Sequence, residues 1–230
     1  MLLMVPPKIH LIFTCIEQND LLPKFLEHYK YHGCCNAVCL LEDHVDRSIV
    51  LEVFPNAIIY QGKVSLDATI RQEDDNWLRK KIPKYDWYVI ADVDEFVFSE
   101  KRLIDVIQRT SCDNIRGYLV DRHTNDLSLP QTLDEDIWKQ FPVETTFTKD
   151  HGVWDQKVIA AVNILEIKIG HHYCDSNNFD ENKLPIHHFK WWGNVINRLK
   201  ERNKIPLFWN EELDAQLATL TRGDSIFLGD

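Results

Sequence analysis

Residues 87–96 read Trp87-Tyr88-Val89-Ile90-Ala91-Asp92-Val93-Asp94-Glu95-Phe96. Five apolar residues run unbroken and end at three acids within four positions. The run is too short for an ordinary helix and carries no helical stripe. Its Tyr and β-branched residues favour a strand covered on both faces. In an open α/β sheet, ligands collect outside the carboxyl ends of the strands, the edge at which Asp92, Asp94 and Glu95 emerge. Carboxylates gathered there repel one another unless a cation sits between them. Mg²⁺ or Mn²⁺ suits such a site, because hard cations take carboxylate oxygens and share them with substrate phosphates. The plain alternative is a solvated acidic loop after a strand.

Upstream of this stretch, residues 9–14 read as a first buried strand. A polar turn follows to Asp20, which is placed to cap a helix carrying Pro23 in its first turn. Phe25, Leu26 and Tyr29 recur at helical spacing, and Gly33 ends that helix. Residues 37–41 form a second strand ending at Glu42 and Asp43, and 45–54 a helix stopped by Pro55. Residues 57–60 form a third strand, and 66–82 a long helix ended by Pro83. Strands alternating with helices predict a mainly parallel central sheet with helices on both faces. Downstream the pattern changes. Residues 103–109 read as a short helix, 116–121 as a strand, 124–142 as an acidic loop and 158–169 as strand-rich. Residues 175–183 read as a polar loop, and 184–189 as a strand or turn carrying two histidines. Residues 193–203 form an amphipathic helix with Val195, Ile196 and Leu199 on one face, and 211–220 a last helix.

A chain of 230 residues is long enough for one large core. The formal charge of -10 argues against a nucleic-acid partner, which calls for a basic face. No apolar run approaches the ~20 residues of a membrane span, and the start, broken by Pro6 and Pro7, lacks the regions of a signal peptide. The expected location is cytoplasmic, or the chain is a catalytic domain of a longer protein. The six cysteines form no C-x-x-C pair, and adjacent Cys34 and Cys35 suit one zinc poorly, so reduced thiols are expected.

Asp92-Val93-Asp94-Glu95-Phe96 resembles the DxD signature of GT-A glycosyltransferases, in the DxDEF form of family-2-like enzymes. The resemblance implies an α/β GT-A fold, the nucleotide-diphospho-sugar transferase fold, as a single catalytic domain over residues 1–230. About 9–98 would bind the nucleotide-sugar and about 99–230 the acceptor. It implies that Asp92 and Asp94 hold Mn²⁺ or Mg²⁺ on the diphosphate of the donor. Ile186-His187-His188-Phe189-Lys190-Trp191 resembles the late loops of the same enzymes, where a histidine completes the metal shell and a lysine reaches the phosphates. The spacing here is tighter. His188 is thus a candidate metal ligand through a neutral imidazole, and Lys190 a candidate partner of the leaving diphosphate. Alternatively His187 and His188 cap a strand. Leu119-Val120-Asp121-Arg122, Phe141-Pro142, Gln156-Lys157-Val158-Ile159 and Gly170-His171-His172 follow in the family's order, so the match spans most of residues 9–202.

Further candidates follow from chain order. The turn from Thr14 to Glu17 is expected to pass the base or ribose, and Asp43 matches the position at which the family contacts the base. Arg71, Gln72 and Asn76 lie on the helix before the central strand, with Asn76 four to five residues beyond the first two and roughly on the same face. Glu73, Asp74 and Asp75 favour a solvated face instead. An inverting transfer needs a general base; Asp155 stands first and Asp121 second, unless they pair with Lys157 and Arg122. The usual base motif of the family is absent, which leaves inversion and retention both open. The reading is a metal-dependent glycosyltransferase moving a sugar from a UDP-sugar or similar donor to a glycan or lipid-linked glycan, as in polysaccharide biosynthesis. A Mg²⁺-dependent nucleotidyltransferase or hydrolase would use the same acids, though no Gly-rich phosphate loop is seen. A carbohydrate-binding domain would use the seven Trp as platforms and would not need the acids.

Overall fold

Nine strands and eight α-helices are found among residues 7–16, 20–151, 156–163, 165–204 and 210–222, which the computed structural model describes. β1 (Ile9–Cys15), α1 (Leu22–Tyr31), β2 (Asn36–Leu41), α2 (Ser48–Val53), β3 (Ile58–Gln61), α3 (Ala68–Arg79) and β4 (Trp87–Ile90) alternate as the sequence predicts. β1 lies between β2 and β4, parallel to both, and β2 is parallel to β3. After β4 come β5 (Glu95–Val97), α4 (Leu103–Ile107), β6 (Asn114–His123), α5 (Ile137–Gln140), β7 (Val143–Thr145), α6 (Phe147–Asp150) and β8 (Gln156–Val162). A 3₁₀ turn (Ile169–His171), β9 (Phe179–His188), α7 (Val195–Asn203) and α8 (Asn210–Arg222) complete the order. The strands run β3-β2-β1-β4-β8-β6-β9-β5, with β7 on β6. β8 enters antiparallel to both β4 and β6. The class is α/β with one large central sheet, parallel from β3 to β4.

β1 is buried at every residue. The alternation of side chains along a strand sends Ile12 to one face and Phe13 to the other. On the Ile12 side the core holds Val38, Leu78, Tyr88, Ile90, Val158, Ala161 and Ile167. On the Phe13 side, Phe25 of α1 lies 5.3 Å from the Phe13 ring and 4.9 Å from Tyr29. Leu22, Phe25, Leu26 and Tyr29 form the buried stripe of α1. Asp20 does not cap this helix; Leu21 occupies the N-cap and no side chain caps it. α3 is capped by Asp67, whose Oδ1 accepts the Thr69 N–H at 2.8 Å.

Three stretches depart from expectation. The acidic motif is itself the start of a strand, because Glu95 opens β5. β9 begins at Phe179, within a segment expected to be loop. α5 interrupts the acidic loop after residue 124, with Asp136 as its cap. All six cysteines are free thiols. Among the described residues, no helix is long and apolar enough to cross a membrane.

The packing divides the described residues into two compact units. One is drawn from 1–118 and 156–185, the other from 119–155 and 186–230. The first holds the sheet core above. The second has a core of its own, made of Phe147, Trp191, Val195, Leu199 and Leu213.

Candidate functional site

In the first unit, β4 ends at Ile90 and the chain turns at once. The Ala91 N–H donates to Ile12 O, and the Glu95 N–H closes the turn on Asp92 O at 2.9 Å. Asp92 therefore emerges at the carboxyl end of a parallel strand, beside the end of β1. Two cations meet it there. Arg71, on α3, donates through Nη2 to Asp92 Oδ1 and to Thr14 Oγ1, the latter at 3.2 Å. Lys157, on β8, donates to Asp92 Oδ2 at 3.0 Å and also to Glu95 Oε1.

The antiparallel register explains Lys157. β4 and β8 pair Trp87 with Val162, Tyr88 with Ala161 and Val89 with Ala160. Carried three residues further, that register sets Asp92 opposite Lys157. Burial alone would lower the affinity of Lys157 for its proton; Asp92 and Glu95 more than reverse this and keep it an ammonium. Burial would likewise push Asp92 up, but Lys157 and Arg71 hold its carboxyl well below the usual range.

His171 completes the cluster. One ligand atom from each of Asp92, Glu95 and His171 lies within 4.8 Å of the others. The ring Nε2 of His171 is 2.8 Å from Asp75 Oδ2. A carboxylate is an acceptor, so Nε2 is the nitrogen that donates to Asp75, and in the neutral ring the lone pair then lies on Nδ1. Nδ1 is buried and has no hydrogen-bond partner. Two carboxylates and an imidazole nitrogen left with an unused lone pair fit a divalent ion, with Asp75 as the outer carboxylate that orients the histidine. The loop that carries His171 is pinned from α3 and β4. Asn76 grips both Ile167 O (2.8 Å) and Ile167 N (2.9 Å), Arg79 donates to Asn163 O, and Tyr88 to Leu165 O. His171 has φ 61°, as does neighbouring Gly170 at 65°. For a residue with a side chain that conformation costs about 1–2 kcal/mol, and such strain tends to sit at functional positions.

The sequence candidates are distributed as follows. Asp92, Arg71 and Thr14 come together. Asp94 is buried in the same turn and its charge acts on Arg71. Asn76 is spent on the Ile167 clamp and on Gln72 O. Gln72 is half-buried one residue from Arg71, and Asp43 is exposed after β2. Glu17 and Asp155 lie outside the described residues.

His188, Lys190 and Asp121 belong to the second unit. Asp121 is 1% exposed. Its Oδ1 accepts from Thr148 Oγ1 (2.7 Å), Trp191 Nε1 (2.9 Å) and His188 Nδ1 (3.0 Å), and its Oδ2 from the Thr148 N–H (2.7 Å). Burial pushes Asp121 up, yet His188 and Thr148 bring it down to about 2. A carboxylate so enclosed is a weak base, and its evident work is to hold His188 and Trp191. Lys190 donates to Gln216 Oε1 at 3.2 Å and lies over the Trp191 ring.

No protein-family model and no curated protein matches the sequence. Solved structures match distantly. A 4-diphosphocytidyl-2C-methyl-D-erythritol synthase aligns over 70% of this chain and 76% of its own, at 11% identity and a TM-score of 0.41. TarS of S. aureus aligns over 95% of this chain at 13% identity and a TM-score of 0.40; this chain spans 44% of that one. The inositol-1-phosphate CTP transferase from T. maritima aligns over 94% of this chain and 83% of its own, at 9% identity and a TM-score of 0.34. At that distance none carries an argument about the reaction.

Sequence reasoning pointed to Asp92, Arg71 and Thr14, which lie together here, and did not single out Lys157, His171 or Asp75 as candidates. The available signal was Lys157 at the head of the apolar run Val158-Ile159-Ala160-Ala161. A charged residue opening a buried strand needs a partner.

Proposed function

We propose that the protein is a metal-dependent glycosyltransferase that moves a sugar from a nucleoside-diphosphate sugar, foremost a UDP-sugar, to a hydroxyl of a glycan or lipid-linked glycan. The observation that carries this reading is the grouping of Asp92, Glu95 and His171 with two permanent cations, Arg71 and Lys157, at the carboxyl end of β4. That edge of a parallel sheet is where α/β proteins take their ligands. Mn²⁺ or Mg²⁺ held there would neutralise the charge that grows on the diphosphate as the glycosidic bond breaks. Arg71 offers a planar fork already anchored on Thr14 and Asp92, so little freedom is lost when it meets a phosphate. Lys157 supplies a second charge, which matters most as the leaving group departs. Asp155, next in sequence to the start of β8, is the proposed base for the acceptor hydroxyl.

The test is a panel of nucleotide-sugars, each with Mn²⁺ and with Mg²⁺, assayed for release of nucleoside diphosphate. The expected result is metal-dependent release from one donor, abolished by EDTA. A second reading has a specific basis: every group in the cluster handles phosphate or metal, and none is particular to a sugar. The same groups would serve a nucleotidyl transfer from a nucleoside triphosphate. That reaction releases pyrophosphate, so the product decides between the two.

A further inference from the structure

Lys157 occupies the place of a cation. Its side chain is 7% exposed, and its Nζ lies 3.0 Å from Asp92 Oδ2 and against Glu95 Oε1. Those two carboxylates and His171 are the groups whose ligand atoms converge within 4.8 Å. The other oxygen of Asp92 is already held by Arg71. A divalent ion drawing on this set would thus stand close to an ammonium that uses the same oxygens. In a buried site like charges repel far more than in water, so one of the cations must give way.

The surroundings decide which one moves. Arg71 is tied to Thr14 as well as to Asp92. His171 is tied to Asp75 and sits on a loop clamped by Asn76. The Lys157 ammonium, among the described residues, hydrogen-bonds to Asp92 and Glu95 alone. It also ends a flexible four-carbon stem. We propose that Lys157 is a resident counter-ion, which keeps the Asp92–Glu95 pair assembled in the metal-free protein and is displaced when a divalent ion binds. The inference rests on the metal reading of the site given above. Its consequence is that the carboxylates never face one another unscreened. A further consequence is that metal entry leaves a mobile ammonium in search of an anion, which the phosphates of a donor supply.

The exchange is read on the wild-type chain by acylating lysines and mapping Lys157 by mass spectrometry. Without metal, Lys157 is expected to be protected. At Mn²⁺ concentrations that calorimetry shows to fill the site, its reactivity is expected to rise several-fold. Unchanged reactivity at full occupancy overturns the exchange and leaves the metal reading standing. In parallel, Lys157→Gln is expected to bind Mn²⁺ about tenfold more tightly or better, the scale of one close charge pair; equal or weaker binding also overturns it. Calorimetry that detects no Mn²⁺ binding to wild type or variant would sink the metal reading itself, and the exchange with it. Should Lys157→Gln fail to fold, the wild-type acylation still decides.

Discussion

At Asp92 one carboxylate serves two cations, and its charge is what both require. Asp92→Asn keeps the shape and removes the charge. It is expected to abolish Mn²⁺ binding in calorimetry and to lower turnover by about 10²–10³-fold, the cost of one lost electrostatic contact in a reacting site. His171 makes a sharper test, because the resemblance of residues 186–191 to the family's late loops pointed to His188 as the histidine of the metal set. Asp75→Asn loosens the hold on Nε2 and is expected to weaken Mn²⁺ affinity by about 10–100-fold, as outer-shell changes do. Metal affinity unaltered in both Asp75→Asn and His171→Ala would remove His171 from the site. Asp121 in the second unit has a different role. With its oxygens engaged by Thr148, His188 and Trp191, Asp121→Asn is expected to cost about 3–5 kcal/mol of stability in urea unfolding, the range for breaking a buried charged pair.

The joint between α1 and α4 shows how an element depends on one ring. α4 has five residues, too few to hold a helix unaided. Its first residue, Leu103, donates its N–H to His32 Nδ1 at 3.1 Å, and Ile104 donates to His32 O at 3.0 Å. Burial pulls the His32 pKa down to about 4. The folded ring is therefore neutral and able to accept, while the unfolded one takes a proton near pH ~6.5. The stability contributed by this cap is full above about pH 6.5 and is lost as pH falls toward about 4, since the unfolded state then binds more protons. His32→Asn retains an acceptor and does not titrate, so it is expected to make the fall of the melting temperature across that window shallower than in the wild type. Gly33 lies at the same joint, with φ 103° and only 2.6 Å between a built Cβ and Ile104 Cβ. Gly33→Ala is expected to cost about 1–3 kcal/mol by overpacking, read by thermal denaturation.

Across the whole molecule the same protonation argument repeats. Burial, first among the causes, draws His32, His123, His172 and His187 each down to about 4. Unfolding below about pH 6.5 releases all four to take up protons, so acid favours the unfolded chain cooperatively. The melting temperature is expected to hold level from pH 8 to about 6.5 and then to fall steeply toward pH 4.5. A flat profile there would mean that these rings are solvated in the native state. The site itself is a long-range product. Lys157 is 65 residues from Asp92 and His171 is 96 from Asp75, both returning to the first unit after the chain has built part of the second.

What the amino-acid order determined by itself is the strand at Trp87, the alternation before it and the acids at its end. A strand buried on both faces must be apolar throughout, and a helix with one buried face must show its stripe; such requirements are local and therefore written in the spacing of Phe25, Leu26 and Tyr29 or of Tyr88, Val89 and Ile90. Arg71 was legible for the same reason, because a helix leading into β4 must pass its end. The partners of the acids were not. Ten histidines stand in the chain, and nothing in their spacing says that His171 turns to Asp75 while His188 turns to Asp121. Those choices come from the antiparallel register of β8 on β4, which sets Lys157 across from Asp92, and from the Asn76 clamp that holds the His171 loop. Both depend on packing between residues far apart in the chain, where a buried charge must find a partner that no local pattern specifies.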